Sequence, residues 1–157
     1  MQHYQTIVAF HIIFAGIWII FFAADLILKN KIRAAKNSDV KNELISIYLQ
    51  FTNLFGIVGS VGIAITGITL VVLNPGWGFF DMSHAHWLAT KQIIFVGILF
   101  LTFMRIIPTA KKLRAAMHDS DTEEINNKFN SVANTNKIIN ILVILNLVFA
   151  LTHRLYS

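Results

Sequence analysis

The chain has 157 residues, of which 55% are hydrophobic and 13% charged, with a mean hydropathy of +0.62; this is the composition of an integral membrane domain. The formal net charge of +5 does not imply nucleic acid, because the bases sit in short clusters beside long apolar runs, the pattern of cytoplasmic membrane loops. Cysteine is absent, which excludes disulfides, thiolate metal sites and cysteine nucleophiles and leaves histidine, lysine and carboxylates as the groups with chemistry to offer.

Four apolar stretches, about 4–28, 47–73, 87–110 and 134–154, each reach the roughly 20 helical residues needed to cross a hydrocarbon core. They predict a single all-α domain over 1–157, an antiparallel bundle of four transmembrane helices with the lipid bilayer as its partner. The first stretch reads as a retained span. It has no basic segment before it and its bases follow it, whereas a cleaved signal has the reverse order.

The first connection carries Lys29, Lys31, Arg33, Lys36 and Lys41, and the third carries Lys111, Lys112, Arg114 and Lys128. The second, residues 74–86, has no Lys or Arg. The positive-inside tendency therefore places connections one and three in the cytoplasm and both termini outside, a multi-pass arrangement. Asn74-Pro75-Gly76 is a turn signal that ends the second helix. Trp77, Phe79, Phe80 and Trp87 form an aromatic belt at the outer interface, and Ser83 is an N-cap that lets the third helix begin at His84.

With this topology His3, His11, His84, His86 and His153 all fall in the outer half, and His118 alone lies on the cytoplasmic side. On helix one, His11, Ala15, Trp18, Phe22 and Asp25 follow steps of four and three, so they form one stripe turned toward the bundle. Asp25, near the cytoplasmic end, is a partner for the nearby loop lysines. Lys91 sits about one turn inside the third span, where an ammonium costs a few kcal/mol unless paired or solvated. The seven-residue step from His84 to Lys91 closes to within about 20°, so the two share a face if the helix reaches back that far; His86 points elsewhere. On helix two, Thr52, Gly56, Gly59, Ser60, Ile63, Thr66 and Gly67 make a face nearly free of bulk, which either brings a neighbouring helix close or leaves room for a flat ligand. On helix four, Asn146 and His153 share a face, and Asn136 and Asn140 serve as interhelical glue.

Neutral imidazole is the best ligand for haem iron or a transition metal in a bundle without cysteine. A single histidine on an aromatic stripe opposite a glycine face suits a flat macrocycle, which makes haem the predicted cofactor. Its binding set is His11, Lys91, His86, His84, His153, Trp18 and Asn146, with His11 as the iron ligand and one of His86, His84 or His153 as a second axial ligand. Lys91 is the partner for propionates. The alternative is a copper or zinc site built from His84, His86 and His153, with His3 in reach. A porphyrin or a redox protein is the corresponding partner, and a homo-oligomer is compatible with the chain.

The run His11-Ile-Ile-Phe-Ala-Gly-Ile-Trp18, the segment Trp87-Leu-Ala-Thr-Lys91 and the pair Phe129-Asn130 resemble the small four-helix family of bacterial protoporphyrinogen IX oxidases and the related CopD-like membrane proteins. For the oxidases the resemblance implies a b-type haem or porphyrin site, His11 as iron ligand, Lys91 as the second essential residue, and porphyrinogen oxidation as the reaction.

Overall fold

Long apolar runs in lipid must satisfy their backbone hydrogen bonds internally, and this chain does so in helices. The structure is a computed structural model that describes residues 2–83 and 85–152. In chain order it contains α1 (Gln2–Ala34), α2 (Ser38–Leu73), α3 (His86–Leu101), a π-helical turn (Thr102–Ile106), α4 (Ile107–His118) and α5 (Thr122–Thr152). Since α3, the π turn and α4 are continuous, the molecule is a bundle of four rods, each long and apolar enough to cross a membrane. It is an all-α, multi-pass membrane protein.

The rods overrun the predicted spans. At 33 residues, α1 is about 50 Å long, against a hydrocarbon core of about 30 Å. The charged segments expected as long connections are therefore mostly helical: Lys29, Lys31 and Arg33 belong to the last turns of α1, and Lys41 to the first turns of α2. The connections shrink to residues 35–37 and 119–121. Hydropathy marks where a helix meets lipid. Ala, Lys, Arg and Glu favour helix in water as well, so the helices end at local stop signals instead. Asn37 caps α2, its Oδ1 accepting from the Asp39 and Val40 amides at 2.7 and 3.4 Å. Asp121 does the same for the Glu124 amide of α5 at 2.9 Å.

The expected turn after α2 is present, with Trp77 N donating to Asn74 O at 3.0 Å. The expected Ser83 cap is not. α3 begins at His86 with Ala85 in the cap position, because Ser83 is held two residues back, its amide and hydroxyl both reaching Asp81 Oδ1 at 2.8 and 2.5 Å. An aspartate that bonds its own downstream backbone outcompetes the capping geometry. The third rod is also uneven. Pro108 has no N–H and its ring crowds the carbonyl four residues earlier, and the wide π turn over Thr102–Ile106 accommodates it.

Packing is asymmetric along the bundle axis. Ile32, Ile45, Tyr48, Leu49, Leu113, Ile125, Phe129 and Val132 form a closely buried cluster at the end that carries the two short connections and most of the bases, here called the basic end. At the opposite, loop end, where residues 74–85 join α2 to α3, burial is thinner. Large apolar side chains such as Ile12, Ile20, Ile65, Val72 and Phe100 point outward, as lipid-facing residues do. The small face of α2 works as a close-approach surface along part of its length. The Trp18 indole lies 3.4 Å from where a Gly59 Cβ would be, and Phe14 occupies the space a Cβ on Gly62 would need.

Candidate functional site

Where α1, α2 and α3 separate at the loop end they enclose a cavity of about 760 Å³. Its α1 wall includes Tyr4, Val8 and His11, spaced four and three apart on one helical face, with Gln5 beside them. Its α2 wall includes Ile63, Ala64 and Gly67, and its α3 wall is Trp87, Leu88, Lys91, Gln92, Phe95 and Leu99. Asn146 reaches it from α5, while Trp77, Phe79 and Phe80 cover it from the loop. Trp77 and Trp87 meet edge to face with centroids 5.6 Å apart. The aromatic belt expected at the membrane interface is thus the roof of a pocket. The small residues of α2, which farther along admit α1, here leave open space.

His11 is fixed by its neighbour across the α1–α2 contact. Its Nδ1 lies 2.8 Å from Thr66 Oγ1, and Thr66 Oγ1 lies 2.6 Å from Gly62 O and 3.4 Å from Ile63 O. Carbonyl oxygens can only accept, so the single hydroxyl proton goes to them, and Thr66 Oγ1 must accept from His11 Nδ1–H. The imidazole is therefore held as the Nδ1–H tautomer, which leaves the lone pair on Nε2. A Cβ at Gly67 would stand 3.5 Å from His11 Cε1, so glycine keeps the cavity open beside the ring.

Lys91 lies on the cavity wall with its Nζ 5.6 Å from the centroid of the Trp87 ring. A cation–π contact contributes about 0.5–2 kcal/mol, less than the cost of an ammonium within a membrane. No described carboxylate is within ion-pair reach of it. Beside it, Gln92 Oε1 accepts from the Phe80 amide at 2.6 Å, which leaves Gln92 Nε2 buried without a partner. Asn146 Nδ2 donates to Lys91 O at 3.4 Å, and Asn146 Oδ1 is likewise buried without a partner. A buried unsatisfied donor or acceptor costs about 1–3 kcal/mol. The residues that line the cavity thus carry an imidazole lone pair, an ammonium, a buried amide donor and a buried amide acceptor among aromatic and aliphatic walls.

His11, Lys91 and Asn146 are the predicted site residues that meet at this cavity. His86 does not line it: its side chain is exposed, and its Nδ1 lies 2.6 Å from Met82 O, to which it donates. Trp18 is 5% exposed but lies below the cavity, packed on Gly59 and on Phe95, 6.3 Å between ring centroids. His84 and His153 lie outside the described residues; α3 begins at His86. Among the described residues no three His, Asp or Glu side chains converge as a metal site would require. His118 is exposed beside Asp119, a solvated histidine as expected, though in the last turn of α4 and not in a loop. Thr66 and Gln92 are the residues that sequence reasoning missed. Thr66 was legible only as a small residue, and Gln92 carried no signal beyond its place next to Lys91.

A second polar group lies toward the basic end. Asp25, 1% exposed, receives Lys29 Nζ and Asn140 Nδ2 on Oδ2 at 2.5 and 3.0 Å, and Tyr48 OH on Oδ1 at 2.7 Å. Asn136 Nδ2 donates to Tyr48 OH at 2.7 Å and to Thr52 Oγ1 at 3.3 Å. The expected pairing of Asp25 with a nearby lysine is present, and the asparagines do act as glue between α5 and the α1–α2 pair. Compared with protein-family models, with curated proteins and with solved structures, the chain matches none.

Proposed function

We propose that the cavity is a b-type haem site and that the chain is a membrane redox protein of a bacterial inner membrane, with the cavity toward the outer face. The single observation that carries this reading is the Thr66-locked imidazole of His11 on the wall of an aromatic, flat-ligand-sized cavity. Metal-ligating histidines characteristically donate their second ring N–H to a protein acceptor, which fixes tautomer and orientation, and Thr66 is that acceptor for His11.

The residues fit the group on three further counts. The volume of about 760 Å³ lies within the roughly 300–1,000 Å³ of small-ligand sites. His11 Nε2 offers the neutral nitrogen that haem iron takes as an axial ligand. Lys91 Nζ and Gln92 Nε2 offer a cation and a donor for propionates. When bound, the haem supplies one-electron chemistry at iron; the chain's part is to ligate it, hold its carboxylates and exclude water with Trp77, Phe79, Phe80 and Trp87. Porphyrinogen oxidation, implied by the resemblance of the His11 and Lys91 segments, is the reaction we assign to it. The alternative of a copper or zinc site draws no support from convergent ligands among the described residues.

The test is a reduced-minus-oxidised visible spectrum of the detergent-purified protein, before and after reconstitution with haem. A Soret band with reduced α and β bands is expected for wild type, and its loss or a large shift for His11→Ala. A protein that shows no Soret band even after reconstitution overturns the reading.

A further inference from the structure

Phe80 has φ 57°, a left-handed backbone that a bulky side chain rarely adopts and that persists only where its surroundings hold it. Its amide N–H is held by Gln92 Oε1 at 2.6 Å, across twelve residues of sequence. Because an amide N–H can only donate, this bond fixes which end of the Gln92 side chain faces the loop. The other end, Nε2, is buried and unpartnered, on a residue that lines the cavity beside Lys91.

We propose that Gln92 is a ligand-binding residue that couples occupancy of the cavity to the position of loop residues 77–83, by donating from Nε2 to a carboxylate of an amphiphilic ligand while Oε1 clamps Phe80. The ligand class follows from the chemistry of the pair. Nε2 has only protons to give and Lys91 only positive charge, so the group between them is an anionic oxygen. A single ammonium balances the one charge of a carboxylate, whereas a phosphate monoester carries about −1.5 to −2. The ligand is amphiphilic because the remaining walls, from Ile63 and Leu88 to Leu99, are apolar. With its second end bound, the Gln92 side chain loses rotamer freedom, and the strained Phe80 turn gains a rigid anchor. An empty site leaves the clamp free to release. This rests on the haem reading only in that haem propionates are one instance of such carboxylates.

The experiment is hydrogen exchange over peptides spanning residues 77–83 of the full-length protein in phosphatidylcholine nanodiscs. The additions are haem b, haem dimethyl ester, oleate and oleyl alcohol. Haem b and oleate are expected to slow exchange at Phe80 on the order of tenfold, and the two uncharged counterparts to leave it unchanged. Gln92→Leu is expected to bind haem more weakly in titrations followed at the Soret band, and to show no slowing even when saturated with haem. Gln92→Glu keeps an acceptor for Phe80 but repels the carboxylate, so it is expected to bind oleate weakly. Equal slowing by acid and ester, slowing that survives Gln92→Leu, or no slowing by either acid overturns the proposal. So does slowing produced by phosphatidylglycerol nanodiscs alone, which would assign the anion to a lipid phosphate. Slowing by oleate with no Soret band after haem addition removes the haem reading and leaves this one standing.

Discussion

Replacing Thr66 by valine removes one oxygen and keeps the shape. Thr66 is 9% exposed, and its hydroxyl is the acceptor that defines the His11 tautomer across 2.8 Å. In the variant, Nδ1–H faces a methyl group. The net worth of a neutral hydrogen bond is about 0.5–1.5 kcal/mol, and an unsatisfied buried donor costs about 1–3 kcal/mol. The imidazole can escape that cost by moving its proton to Nε2 or by rotating, and either removes the lone pair from the cavity. Loss of such a supporting bond lowers metal affinity about 10–100-fold, equivalent to about 1.4–2.7 kcal/mol. Haem titration followed at the Soret band, with helix content and melting temperature monitored by circular dichroism, measures the effect. Thr66→Val is expected to stay helical and to bind haem about 10–100-fold more weakly, and Thr66→Ser to bind as wild type does. A Thr66→Val protein with unaltered affinity refutes the tautomer argument, because His11 would then need no acceptor at Nδ1.

Three further outcomes follow from the packing. Lys91→Met removes an ammonium that no described carboxylate pairs, so the ligand-free protein should melt at a higher temperature than wild type while its affinity for a carboxylate ligand falls; a lower melting temperature in calorimetry would show that Lys91 is already well compensated. Asp25→Ala leaves Lys29 buried without its partner and should destabilise by about 3–5 kcal/mol. Asp25→Asn/Lys29→Met removes both charges together and should recover most of that loss in denaturant titrations, which additive effects would contradict. Gly62→Ala drives a methyl group into Phe14, an overpacking expected to cost about 1–3 kcal/mol, whereas Gly97→Ala meets nothing within 4 Å and should be neutral in the same thermal scan.

The four helices long and apolar enough to cross a membrane, the shared level of His11 and Lys91 along the bundle and the inward turn of the His11–Asp25 stripe were all determined by the sequence. Each depends on hydropathy or helical period within a window of about 20 residues, and lipid leaves the backbone no choice but helix. Where each helix ends was not legible from hydropathy, since a helix of Lys, Arg and Ala continues into water until a cap such as Asn37 stops it. The Ser83 cap failed for a local reason, the competing Asp81 carboxylate.

Lateral arrangement belonged to the tertiary structure alone. Thr66 lies 55 residues from the His11 it orients, and Asn140 lies 115 residues from Asp25. Which faces meet depends on the rotation and tilt of whole helices, set by packing such as Phe14 over Gly62 and Trp18 against Gly59. The same small face of α2 illustrates the division: its composition fixed that something could approach closely, and the packing decided that α1 does so at Gly59 and Gly62 while a cavity opens at Ala64 and Gly67. Helix rotation also separated His86 from His11 and Lys91, which share a predicted depth with it, because depth follows from position along one helix and proximity follows only from how several are turned.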